Sequence, residues 1–289
     1  MATRRVLKHE SDTISAGKLV TFSVPVFDTI TQIGLTFTNL GAAATLANIV
    51  AGVSTITILI NGEQILNASA DSLSKVWQFL GPQVGASTLA NSFPLLIAPL
   101  IYKLPAAEDT FAIGCDRWTQ GNKVSNIQVQ VQFAGSVTGL TDVQCYTERV
   151  NKGVNAQGLS QNVTVAICKL LSYQQSTSAV GDDEVSNLPK DSNMGRLFTA
   201  AIQGTAVIAK GECLVNNNPV IQDLDIATNN MILAERGYAP VSGTFMYLFS
   251  DGGTQDLLSL QGVDDMRFKT NLSTAGTYTL VDATVRTVA

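Results

Sequence analysis

The sequence predicts an all-β protein made of two similar β-sandwiches in tandem, and three observations predict it. Apolar and polar residues alternate in short runs along most of the 289 residues. Signals of helical period are few. One supersecondary pattern is written twice, once in each half. A half-buried strand shows a period of two because successive side chains point to opposite faces. Short runs of this kind separated by turn residues mark antiparallel sandwiches and barrels.

In the first half, Lys18 to Phe27 alternates with Val20, Phe22, Val24 and Val26 on one face, and Ile30 to Asn39 does so with Ile33, Leu35 and Phe37. Ile56, Ile58 and Ile60 continue the pattern up to Asn61-Gly62, the dipeptide that favours a tight hairpin turn. Ser69 to Leu80 then carries Leu73, Val76, Trp77 and Leu80 at helical spacing, with Ser69 or Asp71 as the cap, and stops at Gly81. An apolar run from Phe93 to Ile97 follows. The cleanest strand comes last, with Ile127, Val129, Val131 and Phe133 facing in and glutamines facing out. Gly41 to Gly52 is rich in small residues and reads as a loop carrying a helical turn.

Periodicity lapses between Thr147 and Asn162, which places a linker at 151–161 between a first unit (1–150, with a short N-terminal arm) and a second (162–289). The second unit opens on the strand Asn162 to Leu171 and a long polar loop from Ser172 to Gly195. Glu212 to Gly237 then repeats strand, Asn turn, strand, short helix and glycine. Laid over the first copy without a gap, Asn61 falls on Asn217, Trp77 on Leu233 and Gly81 on Gly237, with the second turn at Asn217-Asn218. The shared order of features points to duplication.

Charged residues are 14% of the chain, against about 25% in ordinary soluble domains. So little charge implies that part of the surface is covered by partners, because subunit interfaces are depleted in charged side chains. A net charge of −5 excludes a broad basic face for nucleic acid. Arg4, Arg5 and Lys8 make the start of the chain locally basic, either as a frayed solvated terminus or as an arm that touches a neighbour, an anionic membrane or nucleic acid. The start reads without a secretory leader, and the most apolar stretch, Phe93 to Tyr102, carries Pro94 and Pro99 and is too short to span a bilayer. Cys115, Cys145, Cys168 and Cys213 are scattered without metal-binding spacing, as in buried, reduced thiols of a protein made in a cytosol. The sequons at Asn67, Asn162 and Asn271 then read as chance matches.

Catalytic vocabulary is nearly absent. His9 is the one histidine, so a Ser-His-Asp or Cys-His system has little to rest on. Ser250 to Asp256 has two glycines but no lysine of a phosphate-binding loop and reads as a turn. Carboxylates cluster at Asp182, Asp183 and Glu184 and at Asp264 and Asp265. These are solvated loops or, alternatively, a Ca²⁺ site with no assignable ligands. Two tryptophans, Trp77 and Trp118, are few for a sugar platform.

The segment Ala16 to Phe37 has an Ala-Gly, an alternating strand, a Pro-containing turn and an Ile-x-Leu-x-aromatic strand, followed by the hairpin at Asn61 and its helix. Asp182 to Gly204 has acidic residues, an aliphatic, Leu-Pro and then a strand, and Gly262 to Val288 forms a final hairpin. In these stretches the chain resembles the double jelly-roll major capsid proteins of membrane-containing icosahedral viruses, the corticovirus-like bacteriophage type in particular. Gly41 to Gly52 and Pro82 to Asn91 depart from that family's pattern, so loop details do not carry over. The resemblance implies two tandem eight-stranded jelly rolls with a few short helices in loops. It implies a homotrimeric, pseudo-hexagonal capsomer that tiles an icosahedral shell over an internal membrane, made in the host cytoplasm and located in the virion. Expected partners are other copies of the chain, neighbouring capsomers, penton or minor capsid proteins, and the inner membrane through Arg4, Arg5 and Lys8, with no sequence-specific nucleic acid. No cofactor is expected, and a structural Ca²⁺ is left open. The alternative reading is a carbohydrate-binding β-sandwich protein; a pilus-like surface subunit is disfavoured by the missing leader.

Overall fold

The computed structural model describes residues 4–80, 92–95, 111–118, 122–190, 194–250 and 257–287. The first half runs β1 (Arg4–Thr13), β2 (Leu19–Val24), β3 (Thr29–Asn39), β4 (Ala42–Ala43), α1 (Leu46–Gly52), β5 (Val53–Ile60), β6 (Glu63–Ala68), α2 (Ala70–Leu80), β7 (Ser92–Leu95), β8 (Ile113–Gly114), β9 (Ile127–Phe133) and β10 (Asp142–Val150). The second runs β11 (Ala166–Thr177), β12 (Gly181–Val185), β13 (Met194–Gln203), β14 (Val207–Val215), β15 (Asn218–Asp225), α3 (Ile226–Glu235), β16 (Thr244–Leu248), β17 (Leu258–Ser259), β18 (Met266–Thr274) and β19 (Gly276–Thr287).

Alternation sets the layers. Val20, Phe22 and Val24 of β2 and Ile127, Val129, Val131 and Phe133 of β9 are all buried, and the residues between them are not. In the first half one sheet is β1-β10-β3, extended by β4, β7 and β8, and the facing layer is β2-β9-β5-β6. In the second half the layers are β11-β19-β13-β16 and β12-β18-β14-β15. Apart from the shortest pieces, both halves therefore place their first, eighth, third and sixth strands in one layer. The second, seventh, fourth and fifth strands form the other. That order is the jelly roll, here made twice.

The rolls are fused rather than strung together. β6 of the first pairs in parallel with β11 of the second, Leu66 opposite Leu170 and Asn67 opposite Leu171, so that a single sheet runs through both. Strands β13 and β19 have two buried faces. Ala201 and Leu280 enter the core of the second roll, whereas Ala200, Ile202, Val281 and Ala283 join the apolar cluster of the first. This double burial explains the unbroken burial along most of β13, as expected of strands covered on both faces.

The duplication is sharper in three dimensions than in sequence. Asn61 and Gly62 have φ of +51° and +83°, and Asn216 and Asn217 have +48° and +65°. The second turn is thus Asn216-Asn217, one position earlier than the ungapped overlay predicts. Asn61 Oδ1 accepts from the backbone N–H groups of Ser125 (2.7 Å) and Asn126 (3.1 Å), and its Nδ2 donates to the Lys123 carbonyl (3.0 Å). Asn216 repeats each bond, to Asp264 N–H (3.0 Å), Asp265 N–H (3.0 Å) and the Gly262 carbonyl (3.1 Å). Both hairpins also carry a bulge at the same place, opposite Ile58/Leu59 and opposite Cys213/Leu214. A second irregularity, between Ile221 and Leu224, adds one residue to β15 and restores the overlay at the helix cap. There Asp223 has φ +35°. The caps are Ser69, accepting from Ser72 N–H at 3.1 Å, and Asp225, accepting from Thr228 N–H at 2.9 Å.

Each turn asparagine both tolerates a left-handed backbone and ties its hairpin to the loop before the seventh strand of its roll. Asn61→Ala and Asn216→Ala are each expected to cost about 1–2 kcal/mol, from lost hydrogen bonds and an unfavourable φ. Urea unfolding checks this, and glycine at either position is expected to recover only the backbone share.

Two segments differ from the sequence reading. Arg4, Arg5 and Lys8, read as a short arm, lie in β1, which ladders along β10 from Arg4 opposite Val150 to Thr13 opposite Asp142. The polar loop expected between Ser172 and Gly195 is largely strand, the end of β11 in one layer and β12, paired to β18, in the other, so Asp182, Asp183 and Glu184 are strand residues. Both strands are polar because they lie at sheet margins, where backbone pairing rather than burial holds them. Gly81, Pro82 to Asn91, Ile97, Pro99, Tyr102 and residues 251–256 lie outside the described residues.

Candidate assembly surfaces

The chemistry-bearing side chains do not converge on a cleft. His9 sits at the irregular middle of β1, half-buried, with its pKa lowered by burial and then by the nearby Arg149 charge. Burial pushes the Cys115 thiol up to about 11 and those of Cys145 and Cys213 to about 12, so they are protonated at neutral pH and poor nucleophiles. All four cysteines are free.

Four of the five carboxylates singled out in the sequence meet protein donors. Asp182 accepts from Asn271 Nδ2 (2.7 Å), Asp183 from the Tyr278 hydroxyl (2.6 Å), and Glu184 and Asp265 face Arg267 (4.0 and 2.8 Å). Among the described residues no group of three or more His, Cys, Asp or Glu is placed to hold a metal ion. Trp77 and Trp118 are each 3% exposed, so neither offers a face to a sugar ring. Among the described residues no helix is long and apolar enough to cross a membrane.

The structure instead presents margins. β1 and β4 lie at the ends of the first sheet path, β16 and β2 at the ends of the nine-stranded sheet, and β12 and β15 at those of the third. Several of the exposed large apolar residues sit on these margins: Val6 on β1, Leu19 on β2 and Val220 on β15. Met231 lies on the adjoining α3, and Val154, Leu159 and Val165 lie on the inter-roll segment. Unpaired strand edges with apolar side chains are templates for another chain. Of the basic residues noted in the sequence, Arg4 faces Glu148 at 3.3 Å, while Arg5 and Lys8 are exposed along the same strand. The structure thus spaces them along a sheet edge rather than gathering them into a pocket.

The inter-roll segment is held firmly against the first roll. Asn162 is buried, with Oδ1 accepting from Thr29 Oγ1 and Lys152 N–H, both at 3.0 Å, and its carbonyl accepts from Asp116 N–H at 3.0 Å. Thr164 Oγ1 accepts from Gly114 N–H at 3.0 Å. The relative setting of the rolls is therefore fixed by a shared sheet, a shared core and an anchored linker. No sequence signal marks this anchoring, because asparagine and threonine in a stretch without periodicity look like any polar loop.

Comparison with known proteins agrees with this geometry. Residues 167–288 match the family described as viral coat protein P2 C-terminal domain. No curated protein matches the chain in sequence. Among solved structures, the major capsid protein P2 from bacteriophage PM2 aligns with a TM-score of 0.77 at 13% identity, over 99% of this chain and 98% of that one. A chain of the atomic structure of Sulfolobus Turreted Icosahedral Virus aligns at 0.68 and 13%, over 98% and 91%. The Faustovirus major capsid protein aligns at 0.62 and 6%, over 100% and 91%. At such identities the structural likenesses establish the fold, and the family match spans most of the second roll. The chain as a whole has the double jelly-roll fold seen in viral major capsid proteins, and its second roll is similar to the viral coat protein P2 C-terminal domain.

Proposed function

We propose that this chain is the major capsid protein of an icosahedral virus, a structural virion component rather than an enzyme. In this reading three copies form a pseudo-hexagonal capsomer, and capsomers tile a shell over an internal membrane. The observation that carries it is the pair of like jelly rolls locked into one body, the second of which matches a viral coat protein family. Two similar rolls held at a fixed setting make one third of a six-cornered tile, so three subunits close a ring with every corner occupied by the same kind of unit. Low charge and apolar strand margins suit lateral packing. Neighbouring capsomers and penton or minor proteins would then meet the outer flanks of the ring.

Light scattering on the purified chain tests the first step. The expected mass is that of three copies of 30.6 kDa, and a monomer at micromolar concentration contradicts the reading.

A further inference from the structure

The contact between the two rolls inside one chain leaves its own counterpart open at both ends of the molecule. Within the chain, the fifth strand of the first roll (β6) is covered by the first strand of the second (β11) through a short parallel pairing. Ser172 Oγ donates to the Asn67 carbonyl at 3.0 Å, and Lys169 on β11 forms an ion pair with Glu63 on β6. Among the described residues, the fifth strand of the second roll, β15, pairs only with β14, and the first strand of the first roll, β1, pairs only with β10. The described structure therefore shows one occupied junction and the two open halves of an equivalent one.

From this we infer that β15 of one copy docks beside β1 of the next, repeating between subunits the β6–β11 junction made within each. The inference rests on the ring proposed above and names the surfaces that close it. Charge supports the occupant. In the internal junction the cation is on the first strand and the carboxylate on the fifth. The open strands keep that polarity, with Arg5 and Lys8 exposed on β1 and Asp223 exposed on β15. Matching the start of the β1–β10 ladder to the start of the β11–β19 ladder places Lys8 near the position of Leu170, where the internal pairing begins. Apolar residues accompany the charges: Val6 on β1 is 56% exposed and Val220 on β15 is 48% exposed, both high for valine on a finished surface.

The helices agree. α2, beside the closed junction, buries eight of its eleven residues, and Phe79 near its end stacks on Tyr238 of the second roll at 5.2 Å and 3°. Its counterpart α3, beside the open edge of β15, buries only Asn229 and Leu233. Such a contact is head-to-tail, uses different surfaces on the two partners, and closes into a ring when the rotation allows.

The test is a charge swap read by mass photometry across a dilution series. Lys8→Glu and Asp223→Lys are each expected to raise the concentration at which trimers dissociate by about tenfold or more, since each reversal is repeated three times around the ring and turns attraction into repulsion. The double variant is expected to return to within about threefold of the native protein. Asp223 also pairs with Lys210 at 2.9 Å inside the subunit, so Lys210→Gln serves as the control and is expected to leave dissociation unchanged. Thermal melts verify that each variant is folded. If the native protein is a trimer and both single variants dissociate like it, the β15–β1 contact is overturned while the trimer stands. A native protein that stays monomeric overturns both.

Discussion

Asp282→Ala is expected to destabilise the fold by about 3–5 kcal/mol, because it strands a buried cation. Arg196 on β13 is fully buried and reaches Asp282 on β19 with Nε at 2.7 Å and Nη2 at 3.2 Å. Thr199 Oγ1 donates to the same carboxylate at 3.0 Å, and Nη2 of Arg196 also donates to the Pro189 carbonyl at 3.0 Å. The guanidinium lies 5.4 Å from the centre of the Phe268 ring on β18. Removing the carboxylate leaves a cation in a core with two neutral acceptors, the Pro189 carbonyl and the Met266 sulfur. The pair itself need not be worth that much. Replacing both ends together, as Arg196→Met with Asp282→Leu, is expected to cost far less than the single loss, because no uncompensated charge remains. Guanidinium denaturation of the two singles and the double closes the cycle, and additive costs would contradict this explanation. Since β13 and β19 face both cores, the single variant should also loosen the junction between the rolls.

The second large effect is expected at Gly114. A methyl group there would sit inside the van der Waals envelope of the Val163 backbone, which cannot rotate away as a side chain does. Gly114 also donates its N–H to Thr164. Gly114→Ala therefore must push the inter-roll segment off the first roll, at about 1–3 kcal/mol for the overpacking and more where the buried bonds of Asn162 and Thr164 are lost with it. Limited proteolysis is the direct readout. Cleavage within residues 151–165 should become fast in the variant and stay slow in the native protein, whereas equal rates would show that the segment is not anchored.

Much of this architecture is legible because burial writes a period into sequence. The alternation of Val20, Phe22 and Val24 and of Ile127 to Phe133 locates two strands of one layer directly. The hairpin at Asn61 and its helix locate the fourth and fifth strands of the first roll. What periodicity misses lies where the force is not burial. β1 and β12 are edge strands whose stability comes from backbone pairing, and Arg-Arg-Val-Leu-Lys-His and Gly-Asp-Asp-Glu carry no apolar period. An ungapped overlay misplaces the second turn by one residue because the irregularity between Ile221 and Leu224 in β15 shifts the count, which periodicity cannot register. Strand order is not legible from alternation at all and came from the resemblance to capsid proteins, since pairing between distant strands leaves no local trace. The candidate site is the least legible part. Arg4, Arg5 and Lys8 stand out as charges, but the reading of Arg5 and Lys8 as one side of an open junction needs the closed one between β6 and β11 for comparison.

Negative-stain electron microscopy of the purified protein reads the ring most directly. Uniform six-cornered particles with threefold symmetry are expected, each corner one jelly roll and each chain supplying two adjacent corners. Isolated two-lobed particles of a single chain, with no ring at any concentration, would contradict the capsomer.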